Sequence, residues 1–461
     1  MKQSVITDVV RHDSSLCIGC GLCAALCPQR SLKMVWNMHG EYNPIESTLC
    51  TLECGLCLRV CPFAEHEKNE DTIGKELYCG IPGIKHLSET GYYLASYVGY
   101  SEKNRSSSAS GGVATWLLER MLKDDVVDYV ICVAPTGNPE RLFSFKIFDT
   151  PEGVRSGAGS AYYPVEMSGV IKQVIETPGR YAITGLPCFI KAIRLAQQRN
   201  IKLRTRVVIT IGLVCGQLKS KHFTDYIADI AGAQGKVTGV RYRGKSQDHP
   251  TSNYCYAFKT ESGDERKIFW KDGIAEAWTN RWFTPNACNY CDDVFAECAD
   301  VAFMDAWLPE YSNDRNGTSL VLVRSPLAKE VIERGIGAYL DSIPVKRVVQ
   351  SQKGVIAVKR RHMSYRLYLD QSARQKAPKK RMAPDRPMNP LLRQEVVLKD
   401  RMSTMSRDAW TAGMNRGERL RNVMQPNIRR LRAIKKIAEI ISFPMKALRF
   451  IRTKAKSNHH E

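Results

Sequence analysis

The string "CIGCGLCAALCP", residues 17 to 28, constrains this chain more than any other feature. It sets Cys17, Cys20, Cys23 and Cys27 ahead of Pro28 in the C-x2-C-x2-C-x3-C-P spacing of bacterial ferredoxins. Three thiolates this close wrap one corner of an iron-sulfur cube, while the fourth lies too far along the chain to reach the same cube. A second run, "CTLECGLCLRVCP", offers Cys50, Cys54, Cys57 and Cys61 before Pro62 and supplies the exchange partner. The expected sets are therefore Cys17, Cys20, Cys23 and Cys61 around one 4Fe-4S cluster, and Cys50, Cys54, Cys57 and Cys27 around another. Zinc favours two separated cysteine pairs, which argues against it here. Cys50 to Cys54 is C-x3-C, one residue longer than usual, and leaves open whether Cys50 reaches its iron. Paired clusters in one small module make an electron relay.

A module of residues 1–70 with such short loops cannot bury a core of its own, so something besides packing must hold it. The whole chain, 461 residues with 43% apolar content, has room for two or three well-buried domains. Its first residues, "MKQSVITDVVRHDSSLC", show no apolar stretch of a secretory leader, which places it in the cytoplasm and makes disulfides a poor account of sixteen cysteines. The longest apolar runs, "VVITIGLVC" (207–215) and "VVDYVICVA" (126–134), fall far short of the roughly 20 residues that a spanning helix needs. They read as buried strands.

From about 92 to 345, short apolar runs alternate with helical stretches, the pattern of an α/β domain (α+β in part) on a mostly parallel sheet, assigned to residues 71–345. Around "KVTGVRYRG" and "YCYAFKTESGDERKIFW" a Ser-Gly-Asp turn predicts antiparallel pairing. Residues 346–461 read as a basic linker, "SARQKAPKKRMAPDRPMNP", followed by an amphipathic helix pair over 428–457 broken at Pro444. The net charge of +21 is concentrated there: residues 371–461 hold 23 Lys and Arg against 7 Asp and Glu, leaving 45 against 40 elsewhere. Such a helical tail either packs on the protein's own surface or docks on anionic lipid or an acidic protein; no nucleic-acid reading motif accompanies it.

Four further cysteines raise a separate question. "RYAITGL" ends at Pro187-Cys188 and "RVVITIGLV" at Cys215, each a strand before a helix, so both thiols should stand at carboxyl ends of parallel strands, where open α/β sheets place ligands. "ACNYCDDVFAECADVAFMDAW" adds Cys288 and Cys291, which could fold over that edge and complete a four-thiolate set. Equally, Cys188 could be a low-pKa nucleophile and Cys215 plain core. Cys298 is an alternative ligand, and Cys79, Cys132 and Cys255 read as structural.

Together "GLPCFIKAIR", "GLVCG", "CNYCDDVFAECADVAFMDAW" and "SSSASGGVATWLLERML" resemble the family of coenzyme F-420 hydrogenase/dehydrogenase beta subunits, preceded by a two-cluster ferredoxin module, over roughly residues 10–345. The resemblance implies an iron-sulfur flavoprotein with FAD and places a third 4Fe-4S cluster on Cys188, Cys215, Cys288 and Cys291. In "RSSSASGGVATWLLERM", a Ser/Gly turn opening a helix, it makes Ser108, Ser110, Gly111 and Gly112 candidate pyrophosphate contacts; without the resemblance, a helix cap explains the string. "GAGSAYYPVEMS" looks like the family's Gly-Ser-basic-Tyr segment, giving Gly159, Ser160 and Tyr162, but Ala161 stands where many relatives carry Lys or Arg. Lys191 and Arg194 could offset that loss, though solvation is their default reading, as it is for Asp300 and Asp305.

The expected function is an oxidoreductase passing electrons between a one-electron carrier such as ferredoxin and a two-electron substrate at FAD. Two rivals stand beside it: an electron-transfer subunit that feeds a catalytic partner, with exopolysaccharide biosynthesis a setting implied by the resemblance alone, and a cluster-containing sensor without flavin. No proton donor, substrate or oligomeric state can be read from the residues.

Overall fold

The computed structural model describes residues 16–457 apart from 53, 65–67, 247, 375–377 and 414–415, with backbone alone from 442 onward. The opening segment on which the leader reading rests lies outside the described residues, as do parts of the basic linker.

An eight-stranded sheet forms the centre, in the spatial order Tyr339–Ser342, Ala95–Tyr100, Ser319–Val323, Val301–Asp305, Val207–Leu213, Tyr181–Gly185, Tyr129–Asn138, Arg141–Phe148. The strands from Val301–Asp305 to Tyr129–Asn138 run parallel, and both flanks are antiparallel. Tyr181–Gly185 is buried at every residue, as a central parallel strand covered on both faces must be. On one flank the two-residue connection from Asn138 to Arg141 is too short for a helical crossover and makes an antiparallel hairpin. Beside this sheet, Val237–Gly244, Cys255–Thr260 and Glu265–Phe269 form the expected antiparallel layer, with the last hairpin turning at residues 261–264.

The N-terminal module contains the helix Leu22–Leu26, the hairpin Leu32–Trp36 with Tyr42–Glu46, and the helix Leu56–Arg59. It solves its core problem by sharing one: Ile18, Leu22, Leu26, Val60 and Phe63 are buried in the same apolar cluster as the α/β domain. The approach is close. Gly21 sits at φ +83°, its missing Cβ would lie 2.7 Å from a Glu166 carboxylate oxygen, and Met167 N–H donates to the Cys20 carbonyl at 3.0 Å.

The C-terminal third departs from the linker-and-tail expectation. Helices Lys353–Ser372, Pro390–Thr411 and Gly417–Ser457 pack back onto the domain, and the last is a single helix through Pro426 and Pro444 rather than a pair. Leu420, Met424, Ile428 and Leu431 recur at helical spacing and are buried in the main core with Met402 and Trp410. The reading of a helix on the protein's own surface therefore describes this part, while Ile437, Ile440 and Ile441 further along are exposed. No helix among the described residues is long and apolar enough to cross a membrane.

The presumed linker is a strap. Lys380 places its ammonium 4.4 Å from the Phe63 ring of the N-terminal module. Arg381 pairs with Asp71 at 2.7 Å, with Glu297 at 2.6 Å and also with Asp292. Proline and basic residues looked like solvated linker because their carboxylate partners are about 85 to 310 residues away in sequence.

Candidate redox site

Cys17, Cys20, Cys23 and Cys61 line one cavity, the set expected from their spacing. Gly19 and Gly21, both at positive φ, let the backbone curl around it, and Gly19 N–H donates to the Cys17 sulfur at 3.4 Å. Burial pushes the Cys17 thiol up to about 12 and raises Cys20 and Cys23 further, with neighbouring thiols adding to the rise. A ring of buried thiolates repels itself, so it needs a cationic inorganic group at its centre to stay deprotonated. Burial pushes Cys57 up to about 11 against the opposing Leu58 backbone N–H, and Cys54, Cys50 and Cys27 add smaller rises. This second ring is more open, with Cys54 exposed.

The third ring answers the question of the downstream pair. Strands Tyr181–Gly185 and Val207–Leu213 are parallel neighbours, so Cys188 and Cys215 emerge side by side at their carboxyl ends. The short 3-10 turn Asn286–Tyr290 brings Cys288 and Cys291 over them, and all four line one cavity. Leu218 N–H donates to the Cys288 sulfur at 3.2 Å and Lys359 Nζ to the Cys291 sulfur at 3.2 Å. Burial pushes Cys215 up to about 12 and Cys188 well above its ordinary value. Among the described residues no three His, Cys, Asp or Glu side chains converge closely enough to ligate a single metal ion. Rings of four soft donors spread around a cavity suit a larger iron-sulfur group.

Cys298 is fully buried away from that cavity, and its carbonyl accepts from Tyr78 Oη at 3.0 Å and Arg194 Nε at 2.9 Å. It is not the alternative ligand. Cys132 and Cys255 are buried in apolar packing, and Cys79 is exposed at a helix end.

Ile18 lines both the first and the third cavity, and Phe63 lines the third from the same module. Ile18 is therefore common to the walls of the first and third rings.

Around the Ser/Gly turn, the helix Val113–Lys123 starts after Gly112 at φ +79°. Ser110 Oγ donates to the Thr318 carbonyl at 2.9 Å, and Gly111 N–H donates to Ser319 Oγ at 3.1 Å, which ties both into the fold. Ser108 Oγ is buried without a protein partner, as expected of a hydroxyl held ready for a ligand. Lys245, missed in the sequence, donates to the Ser110 carbonyl at 2.8 Å; burial and then Arg105 and Arg243 pull its ammonium down to about 8. Arg105 is paired with Asp314 and Arg243 with Asp305, so of the three Lys245 is the cation left to face a phosphate at this helix start. The alternating "RYRGK" was the available signal. Gly159 has φ +120°, Ser160 bridges to Tyr242, and Tyr162 packs against Trp278 at 4.7 Å between ring centres. Trp278 in turn gives its carbonyl to Gln217, which lines the third cavity. The donor set thus fits a dinucleotide at the turn, with aromatic rings leading toward the third thiol ring.

Four charged residues read as solvated are not. Lys191 is buried against Glu70 at 3.1 Å, so its charge is taken and it does not stand free as a flavin contact. Arg194 meets Asp300 at 2.8 Å and Arg243 meets Asp305 at 2.7 Å.

The chain is similar to known proteins over much of its length. Two family profiles described as coenzyme F420 hydrogenase/dehydrogenase, beta subunit, match the chain: the N-terminal one over residues 96–172 and the C-terminal one over 179–346, together more than half of its length. A 4Fe-4S dicluster domain matches residues 11–64. The chain is 21% identical to a subunit of the F(420)H(2) dehydrogenase of Methanosarcina mazei over 71% of this chain and 84% of that protein. It is 23% identical to the coenzyme F420-dependent sulfite reductase of Methanocaldococcus jannaschii over 76% of this chain but only 51% of that protein. One protein of the F420-reducing NiFe hydrogenase complex from Methanosarcina barkeri superposes with a TM-score of 0.47 at 18% identity, covering 62% of this chain and 96% of that one.

Proposed function

The chain belongs to the family of coenzyme F420 hydrogenase/dehydrogenase beta subunits, with a 4Fe-4S dicluster domain in front, and from that premise we propose that it is an iron-sulfur flavoprotein oxidoreductase exchanging electrons between a one-electron carrier and a two-electron acceptor. The observation that carries the proposal is the shared wall: Ile18 lines the first and third thiol cavities at once. In this reading the three rings hold 4Fe-4S clusters, which supply one-electron storage, and the Ser/Gly turn holds FAD, which supplies two-electron chemistry. The protein's part is placement. Ile18 and Phe63 keep the partition dry, and Lys245, Ser108 and the start of the helix Val113–Lys123 receive the pyrophosphate. Tyr162 and Trp278 fill the space between that turn and the third ring.

The test is a pair of measurements on anaerobically purified protein. One FAD per chain, reducible by reduced ferredoxin in wild type and no longer so in Cys20→Ala, is the expected result. A chain with no flavin would sink the proposal in favour of a plain electron carrier. Lys245→Ala should weaken FAD retention by about tenfold or more, consistent with loss of a charge-assisted bond worth roughly 1.5–3 kcal/mol. Equal flavin content in that variant after dialysis would remove Lys245 from the site. A second reading has support in the Methanosarcina mazei relative, one subunit of a dehydrogenase: the chain feeds a catalytic partner rather than a substrate of its own. Co-purification from the native host separates the two.

A further inference from the structure

The third thiol ring is not closed by the family-matched part of the chain alone. The helix Lys353–Ser372, which begins beyond the matched residues 179–346, delivers Lys359 to the same cavity. The side chain is buried, and its three N–H bonds are all used: to the Cys215 carbonyl at 3.2 Å, the Asp293 carbonyl at 2.6 Å and the Cys291 sulfur at 3.2 Å. Two carbonyls fix the ammonium, and the third bond is aimed at a sulfur. Among the residues that line the cavity, Lys359 is the charged one other than the thiols themselves. An ammonium buried in this way is costly unless a persistent negative charge faces it. A ligated thiolate ring provides that charge.

We propose that Lys359 sets the reduction potential of the third ring's cluster, raising it through its fixed positive charge and its N–H···S bond. This rests on the reading that Cys188, Cys215, Cys288 and Cys291 hold such a cluster. One electron added there, supplied by a low-potential reductant and not accompanied by a proton, increases the negative charge inside the cavity by one. A cation and a hydrogen bond at a ligating sulfur favour the more negative state, and cluster potentials respond to both. Lys359 is then a positioning and tuning residue contributed by the C-terminal extension, which makes that extension part of the redox unit.

The experiment is a potentiometric titration of the full chain followed by electron paramagnetic resonance, with the third ring's signal identified as the one absent from Cys288→Ala/Cys291→Ala. Lys359→Met removes charge and donor, Lys359→Gln keeps a donor without charge, and Lys359→Arg keeps both. In Lys359→Met the midpoint should fall by about the 59 mV of a tenfold one-electron change. Lys359→Gln should fall by less, and Lys359→Arg should stay near wild type. Should Lys359→Met vacate the ring, Lys359→Gln carries the measurement. An unmoved midpoint in a variant that keeps its iron overturns the proposal while leaving the third cluster standing. Loss of the ring's iron from all three variants, Lys359→Arg included, makes Lys359 a packing residue and overturns it too. A wild-type chain with only about eight irons fails the underlying reading itself, a result distinct from an unmoved midpoint at about twelve.

Discussion

Replacing Cys288 and Cys291 together with Ala should lower the iron content from about twelve atoms per chain to about eight. The reason is geometric. Cys188 and Cys215 stand on neighbouring strand ends, and the other half of the ring comes entirely from the turn Asn286–Tyr290 and the residue after it. Two thiols on one side of a cavity cannot hold a cube that needs four ligands. The first ring's cavity shares only Ile18 with this one, so the eight irons proposed for the N-terminal module should remain, as should FAD at the proposed site around Ser108, Ser110 and Lys245. Iron analysis with sulfide quantitation on anaerobic protein reads the outcome directly. Eight atoms in both proteins would assign the downstream pair a structural role.

Removing one guanidinium from the strap should have the largest effect on stability. Arg381 is 8% exposed and faces Asp292 and Glu297, each 2% exposed, together with Asp71 on the helix that follows the N-terminal module. Arg381→Ala would leave buried Asp292 without its cation and Glu297 with only Arg360 at 3.6 Å, which costs roughly 3–5 kcal/mol for a broken buried pair. Arg381→Lys should recover part of this, since an ammonium carries the charge but cannot present a planar fork to several carboxylates at once. Denaturant unfolding of the anaerobic holoprotein checks the size, and protease nicking between 373 and 389 checks that the strap has come loose. A midpoint unchanged in Arg381→Ala would mean that the strap is held by its flanking helices alone.

That Cys17, Cys20, Cys23 and Cys61 share one cavity was legible because cysteine spacing is a local property. A cube's corner imposes C-x2-C-x2-C on a short loop, and Pro-flanked fourth cysteines announce an exchange between two such loops. Cys188 and Cys215 were legible one level higher, since apolar runs ending in cysteine before helices point to one edge of a parallel sheet. The Ser/Gly turn could be located from its residues, but Lys245 could not be assigned to it, because nothing near residue 245 refers to residue 110 until two sheets meet. Lys191 and Arg194 looked solvated for the same reason: their partners Glu70 and Asp300 lie over a hundred residues away.

Local spacing, periodicity and turn chemistry thus determined the ferredoxin-like cysteine runs, the α/β domain and the class of chemistry, since each depends on residues within a turn or two of one another. The tertiary structure decided the rest. It made the basic linker a strap, packed much of the last helix into the core, and brought Ile18 to the wall between two rings and Lys359 to the third. The physical reason is that a charge or an apolar stripe states a need without naming a partner. Lys359, 68 residues from Cys291 in sequence, finds its sulfur only when the helix that carries it packs over the strand ends.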